Sequence, residues 1–376
     1  PPPIGNTYML ETTDQFGTAA YLWRRTDPQL SARMQWMHRQ SGGSGLPGVG
    51  GFWPALAPYQ KVLKDITLPA QRPDYRSELF PQTGAILRHH FGGERETQLH
   101  IVAGSNHAHY DYDSGSITIW GKGRLIADDF GYEGRAPASD HSMVDSPHAA
   151  ATMQPEAFAA GPHLDYFRGR SGGWTRHVLM IKDQDPLGPN YYVLRDRLVG
   201  QKGGRWRLWL TGASVRQEPP MVRVVGSEDV DTDIALLSDK ALPAVLETIS
   251  RRSGSSGLQN NPMTTTQTSV ILTLPGPDQA MSTLVYPRHK NEPEPLMSQA
   301  LNGRVVTLRS QHGTDTIFVS GEQFSYQRDG ISFEGTIGAV LDRFGRRQLV
   351  LGAPGTIAAG DERLTAGADS FPAVAR

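Results

Sequence analysis

The chain contains no cysteine in 376 residues. That excludes disulfides, thiolate metal ligands and thiol nucleophiles, and it suits the periplasm, the external medium and the cytoplasm alike. Neither sign of charge is in excess: 37 basic side chains stand against 38 acidic ones. A dedicated nucleic-acid binder carries a clear basic surplus, so that class is disfavoured. No apolar run is long enough to span a bilayer as a helix. Pro1-Pro2-Pro3-Ile4 shows no signal peptide, and a start without methionine is expected of a processed or truncated chain. A Walker-type phosphate loop and a His-Glu-x-x-His helix are both missing. No fixed-period repeat runs along the chain.

What is present divides by periodicity. The length suits one large β domain with a smaller attached part, or two equal domains. Near the N-terminus the spacing is helical. Asp14 to Arg25 reads as a helix, and Asp27-Pro28 places an N-cap and a first-turn proline ahead of Leu30, Met34 and Met37. Gly42-Gly43 ends that run, Ser41 to Gly51 reads as a loop, and a short helix is expected from Pro54 to Lys64. From about residue 72 the period is two. Strands are expected at 84–91, 97–103, 116–120, 175–182, 191–195, 205–210 and 221–225. They resume at 269–274, 282–286, 304–309, 316–320, 331–334, 339–342 and 348–351. Between the two sets, Ile234 to Arg252 has helical spacing interrupted by Pro243, and Ser253 to Pro262 reads as a junction. About fourteen strands without interleaved helices predict a mainly β protein, a large antiparallel β-sandwich preceded by a few helices. The expected division is 1–70 helical and 71–376 β-sandwich, with a subdivision near 253–262.

Histidine is concentrated rather than spread. Nine of the twelve fall between His89 and His177. The densest stretch is Asn106-His107-Ala108-His109-Tyr110-Asp111-Tyr112-Asp113. On a strand His107 and His109 share a face, so two imidazoles converge on one centre. Asp129 follows the short apolar stretch Leu125-Ile126-Ala127 and precedes Phe130-Gly131, a carboxylate at a strand end beside a glycine turn. His141 completes a His/Asp/His set, and three protein ligands with an open position describe a catalytic zinc site. Each histidine also has a plainer reading. His38, His289 and His312, with His89, His90 and His100, read as surface or hydrogen-bonded core residues, and Asp111 and Asp113 as solvated turn residues before Gly115. Trp120, Trp174, Trp206 and Trp209 lie in or beside strands, and core packing is their expected role.

These segments together resemble the heparinase II/III-like polysaccharide lyases and the similar alginate lyases. The likeness rests on His107-Ala108-His109-Tyr110-Asp111, Asp129-Phe130-Gly131 and His141-Ser142-Met143-Val144-Asp145. It also rests on Ser77-Glu78-Leu79-Phe80-Pro81-Gln82-Thr83-Gly84 at the entry to the first sandwich strand, and on Arg195-Asp196-Arg197-Leu198-Val199-Gly200. It covers roughly residues 70 to 290. The resemblance implies an (α/α) toroid joined to a β-supersandwich, with residues 1–70 as the last toroid turns and the rest supplied by an upstream region or a separate chain. It implies His109, Asp129 and His141 as ligands of a divalent metal, zinc first, and His107 and Tyr132 as catalytic groups. Asn106 and Arg135 would contact an acidic polysaccharide. It further implies β-elimination at a uronic acid, a secreted or periplasmic location, and an isolated chain that is an inactive fragment. Two features depart from the family. Asp111 and Asp113 compete for one position, and Ser142 stands where asparagine is usual. A competing reading takes His109, Asp111 and a distant histidine as the triad of a cupin-like oxygenase. A third is a non-catalytic carbohydrate-binding sandwich.

Overall fold

A strand with a two-residue period buries one face and needs a second layer against it; a strand apolar throughout needs one on each side. Both kinds occur in the computed structural model, which describes residues 14–40, 68–105, 112–130, 137–147, 149–200, 203–240, 242–252, 264–367 and 373–375. The chain divides into two compact units. One holds the residues up to Tyr75 together with Phe130–Gly134 and Ser250–Thr265; the other holds the remainder.

In the first unit the helices are Asp14–Trp23 and Pro28–Gln40. The second starts where the cap predicts: the Leu30 amide donates to Asp27 Oδ1 at 2.9 Å. Ser31 Oγ donates to Ala20 O at 2.6 Å, fastening the helices together. The helix expected at 54–64, the loop at 41–51 and the junction at 253–262 lie outside the described residues.

The second unit is built from antiparallel sheets of nine, eight and eight strands among the described residues. The first runs Glu78–Phe80, Gly84–His89, Thr97–Val102, Ile117–Gly121, Arg124–Ala127, Gly204–Leu210, Thr264–Leu274 and Ala244–Arg252, with Val144–Asp145 paired onto Gly204–Leu210. The second runs Ser214–Glu218, Met221–Val225, Val230–Leu237, Gln279–His289, Tyr191–Leu198, Trp174–Ile181, Leu164–Ser171 and Gln154–Ala160. The third runs Leu296–Ala300, Val305–Ser310, Gly313–Arg328, Ile331–Arg343, Arg346–Leu351 and Ala373–Ala375, and carries Gly355–Ala359 beside Ile331–Arg343, with Glu362–Ala366 paired onto Gly355–Ala359.

The second sheet is the middle layer. Val178, Met180, Tyr192, Leu194 and Val285 pack with residues of the first sheet such as Leu99, Ile119 and Leu208. Their neighbours Leu179, Ile181, Tyr191, Val193 and Leu284 pack with Val306, Ile317 and Ile337 of the third. Cover on both faces explains why Trp174–Ile181 and Tyr191–Leu198 are buried almost throughout, charged residues included.

Two sequence expectations need correction. Ile234 to Arg252 is not helical: Val230–Leu237 and Ala244–Arg252 are strands, with Pro243 in the connection between them. Ile234 and Ala235 are buried on opposite faces of the middle sheet, so their contiguous apolar run imitates a helical window. The strand count is also well above fourteen. Leu164–Ser171 escaped notice because its sequence, LDYFRGRS, is polar. Asp165 is nevertheless buried there, 2.7 Å from Lys182 Nζ. The layered sheets also differ from the single barrel that the oxygenase alternative requires.

Candidate active site

Asp129 sits just beyond the strand Arg124–Ala127, and the Gln267 side-chain amide donates to its carbonyl at 3.3 Å. His141 follows a single 3-10 turn, Ala138–Asp140. That turn is pinned by its backbone. Arg207 Nη1 donates to Ser139 O at 2.7 Å and Trp209 Nε1 to the same oxygen at 3.1 Å. The next residue is fixed as well: Ser142 Oγ accepts from the Trp209 amide at 3.0 Å, and the Ser142 amide donates to Ser116 Oγ at 3.2 Å. The result is a buried pair, His141 Nδ1 to Asp129 Oδ2 at 2.9 Å. A carboxylate on Nδ1 fixes the ring orientation and assigns Nε2 as the outward-acting nitrogen.

Asp113 is buried, not the solvated turn residue its sequence context suggested. Burial pushes its carboxyl up; His141 draws it down and Asp129 raises it, so the three groups share one electrostatic environment. Asp128 is buried too, and burial lifts its carboxyl to about 7. Its Oδ1 accepts no hydrogen bond among the described residues.

Behind this pair lies a buried knot that the sequence reading did not foresee. Asp196 accepts from Trp174 Nε1 at 2.7 Å, Trp206 Nε1 at 2.8 Å, Arg176 Nε at 2.8 Å and Arg176 Nη2 at 3.1 Å. Arg176 Nη1 then donates to Gly115 O at 2.7 Å and Ser142 O at 2.9 Å. One guanidinium thus ties the turn after Asp113 to the residue after His141. Gly115 has a φ of +97°, and a side-chain carbon there would lie 2.3 Å from the Trp174 ring. The sequence signals were Arg195-Asp196-Arg197, a part of the family resemblance, and the two tryptophans, whose indole N–H groups need a partner when buried.

Of the predicted site residues, the structure brings Asp129 and His141 together. Asn106, His107, His109, Asp111, Tyr132 and Arg135 lie outside the described residues. Among the described residues no group of three or more histidine and acidic side chains has a metal-holding arrangement. Gly169-Arg170-Ser171-Gly172-Gly173 has the spacing of a serine-hydrolase elbow, but Ser171 ends a strand in an antiparallel hairpin and donates to Ala150 O at 2.8 Å. That is not the strand-to-helix turn the chemistry needs.

The fold is shared with heparan sulfate lyases. The heparan sulfate lyase HepC from Pedobacter heparinus superposes with a TM-score of 0.64 at 15% identity, over 87% of this chain and 50% of that one. A heparinase III gene product gives 0.60 at 12% identity over 84% and 49%. A further heparinase III gives 0.58 at 13% over 84% and 50%. The chain therefore spans about half the length of the solved structures it matches. No family model and no curated protein sequence matches it. At these identities the likeness defines the fold, the mainly β layered architecture of the heparinase III-type lyases.

Proposed function

We propose that the chain carries the β-sandwich half of a polysaccharide lyase active site, acting by β-elimination on a uronic acid residue of an acidic polysaccharide. The observation that carries the reading is the buried Asp129–His141 pair at 2.9 Å, set on a fold shared with heparan sulfate lyases. Elimination removes a weakly acidic C5 proton, so the adjoining carboxylate must first be neutralised by positioned donors. A base then takes the proton while an acid protonates the departing O4. In this reading His107 stabilises charge or moves a proton, Tyr132 is the acid or base of the sandwich wall, and Asn106 and Arg135 bind the uronate. Remaining groups come from an (α/α) toroid encoded upstream or on a separate chain, and the protein works outside the cytoplasm, secreted or in the periplasm.

The described donor chemistry suits a borderline divalent ion: an imidazole oriented through Nδ1, with carboxylates beside it. His141, Asp129 and His109 would hold zinc. Bound there, the metal would supply fixed positive charge that organises this wall. Asp129 would serve either as a ligand or as the carboxylate that orients His141.

The test is incubation of the complete gene product with glycosaminoglycans and alginate, following ultraviolet absorbance of the unsaturated uronate. Product that disappears in His107→Ala and Tyr132→Phe supports the proposal. Oligosaccharide binding with no unsaturated product would make the protein a non-catalytic carbohydrate-binding sandwich. Elemental analysis showing iron in place of zinc would bring back the oxygenase chemistry.

A further inference from the structure

The second and third sheets enclose a cavity of about 200 Å³ that plays no part in the reading above. Its lining includes His177, Arg195, Arg197, Arg304, Asp278 and Glu322. Arg195 and Arg197 are two apart on one strand and share a face, and His177 is the register partner of Arg195 on the neighbouring strand. The far wall is a break in pairing. The Gly313–Arg328 strand loses register with Ile331–Arg343 between Val319 and Phe324, leaving Ser320, Gly321 and Glu322 at the opening. Gly321 permits close approach: a side-chain carbon there would sit 3.3 Å from His177 Nε2.

The charges here are not balanced in the way buried charges usually are. Arg195 is buried, yet its hydrogen bonds go to neutral oxygens, Ser282 Oγ at 3.2 Å and Asn302 O at 2.7 Å. The Arg304 side chain makes no hydrogen bond or ion pair among the described residues; its guanidinium lies 5.9 Å from the Phe324 ring centre. Arg197 alone has a carboxylate partner, Glu322 at 2.7 Å, and both side chains of that pair are exposed. Burial, together with Arg304 and Arg197, brings the Arg195 guanidinium down to about 10. Burial holds His177 near 3, so its ring is neutral at physiological pH. Tyr166 Oη is 2.9 Å from Nδ1; with the hydroxyl donating, Nε2 carries the proton towards Gly321.

We propose that this cavity binds one oxyanion, the sulfate or carboxylate of an acidic saccharide, at a site separate from Asp129 and His141. Guanidinium groups recognise such anions by paired, charge-assisted hydrogen bonds. A bound anion would supply the counter-charge that Arg195 and Arg304 lack, and His177 Nε2 would add a neutral donor. The two sites lie on opposite faces of the middle sheet, because Arg176 reaches Ser142 O while the adjacent His177 faces the cavity. The saccharide as carrier rests on the lyase reading; the oxyanion site does not.

The test is calorimetric titration of the whole chain with two probes, sodium sulfate against chloride at matched ionic strength, and a sulfated heparan-type disaccharide. Sulfate is expected to bind saturably to the parent and about tenfold more weakly to Arg304→Gln, the loss of one charge-assisted contact. The unliganded melting temperature of that variant should be unchanged. Sulfate binding no better than chloride, or equal in parent and variant, overturns the site. A disaccharide that binds more tightly than sulfate, competes with it and weakens in the same variant supports the saccharide carrier. One that binds no better than sulfate overturns the carrier and leaves a small-anion site. Neither titration depends on elimination chemistry, so loss of the lyase reading would show separately, in the absorbance assay.

Discussion

The strands Trp174–Ile181 and Tyr191–Leu198 present opposite environments on their two faces, one residue apart. On one face Arg176 is paired with Asp196 in register, closed in by two indoles and two backbone carbonyls. On the other, His177 is paired with Arg195 in register, and the cations look into a cavity with too few carboxylates to match them. Both faces bury an arginine. The difference is what surrounds it. The first arrangement satisfies the charge internally and uses it as structure. The second leaves it to be satisfied by something that binds. Strand alternation lets one pair of strands serve both ends.

The largest expected effect comes from opening the closed face. Asp196→Ala leaves the Arg176 guanidinium buried without a carboxylate and strands two indole N–H groups. Removing one partner of such a pair costs about 3–5 kcal/mol. Urea unfolding should show this as a fall in midpoint. A double change to apolar residues, Arg176→Met with Asp196→Leu, should recover much of the stability but not the ties to Gly115 O and Ser142 O. Under the proposed function, metal content and release of unsaturated product should therefore stay low in the double variant. A stable Asp196→Ala would remove the distinction between the faces.

Next in size is Gly115→Ala. The backbone there holds φ at +97°, and the added carbon would overlap the Trp174 ring. Backbone strain and overpacking each cost roughly 1–3 kcal/mol. Thermal unfolding measures it. Because Gly115 O is one of the two carbonyls on Arg176, the same variant should weaken any metal held near Asp129 and His141.

How far the sequence could have led here differs between fold and site. Strands such as Thr97–Val102 alternate cleanly, and the Asp27 cap marks its helix, so local chemistry reports both. Strands that bury charge do not report themselves. Asp165 looks like a loop residue until Lys182 and Ser77 are placed beside it. Asp113 looked solvated for the same reason: burial is a property of what folds over a residue, and the sequence does not display it. Asp129 and His141 were legible through family resemblance, and the structure joins them. The basic cavity was not legible, since Arg304 and Glu322 lie far along the chain from Arg195 and Arg197 and only the fold gathers them.

A smaller effect separates the faces by pH. His177 has its folded pKa near 3, below the unfolded value of about 6.5. The unfolded chain therefore binds the proton first, and stability present above pH 6.5 is lost as the pH falls towards 3. His177→Gln removes that contribution. Its stability should fall less steeply between pH 6.5 and 4, by up to about 1.4 kcal/mol per pH unit, the limit for one proton. Equilibrium unfolding at several pH values reads the slope. Asp196→Ala should leave the slope from His177 in place while lowering the whole curve, and a parallel change in both variants would mean the faces are not independent.

The smallest expected effect is the sharpest contrast. Arg304→Gln removes a cation at the open face that makes no ion pair among the described residues and acts on the exposed Glu322 at longer range, so nothing buried is left unpaired. Its stability should match the parent within about 0.5 kcal/mol, as for substitutions away from structural features. Asp196→Ala and Arg304→Gln would then differ severalfold in what the deletion of one charge does to folding. The reason would be the presence or absence of an internal counter-ion: Asp196 is the partner of a buried arginine, whereas Arg304 makes no ion pair among the described residues. Should Arg304→Gln instead raise the unfolding midpoint, repulsion among Arg195, Arg197 and Arg304 would be measurable in the unliganded protein. An anion that restores the parent to the variant's stability would then locate that repulsion in the cavity.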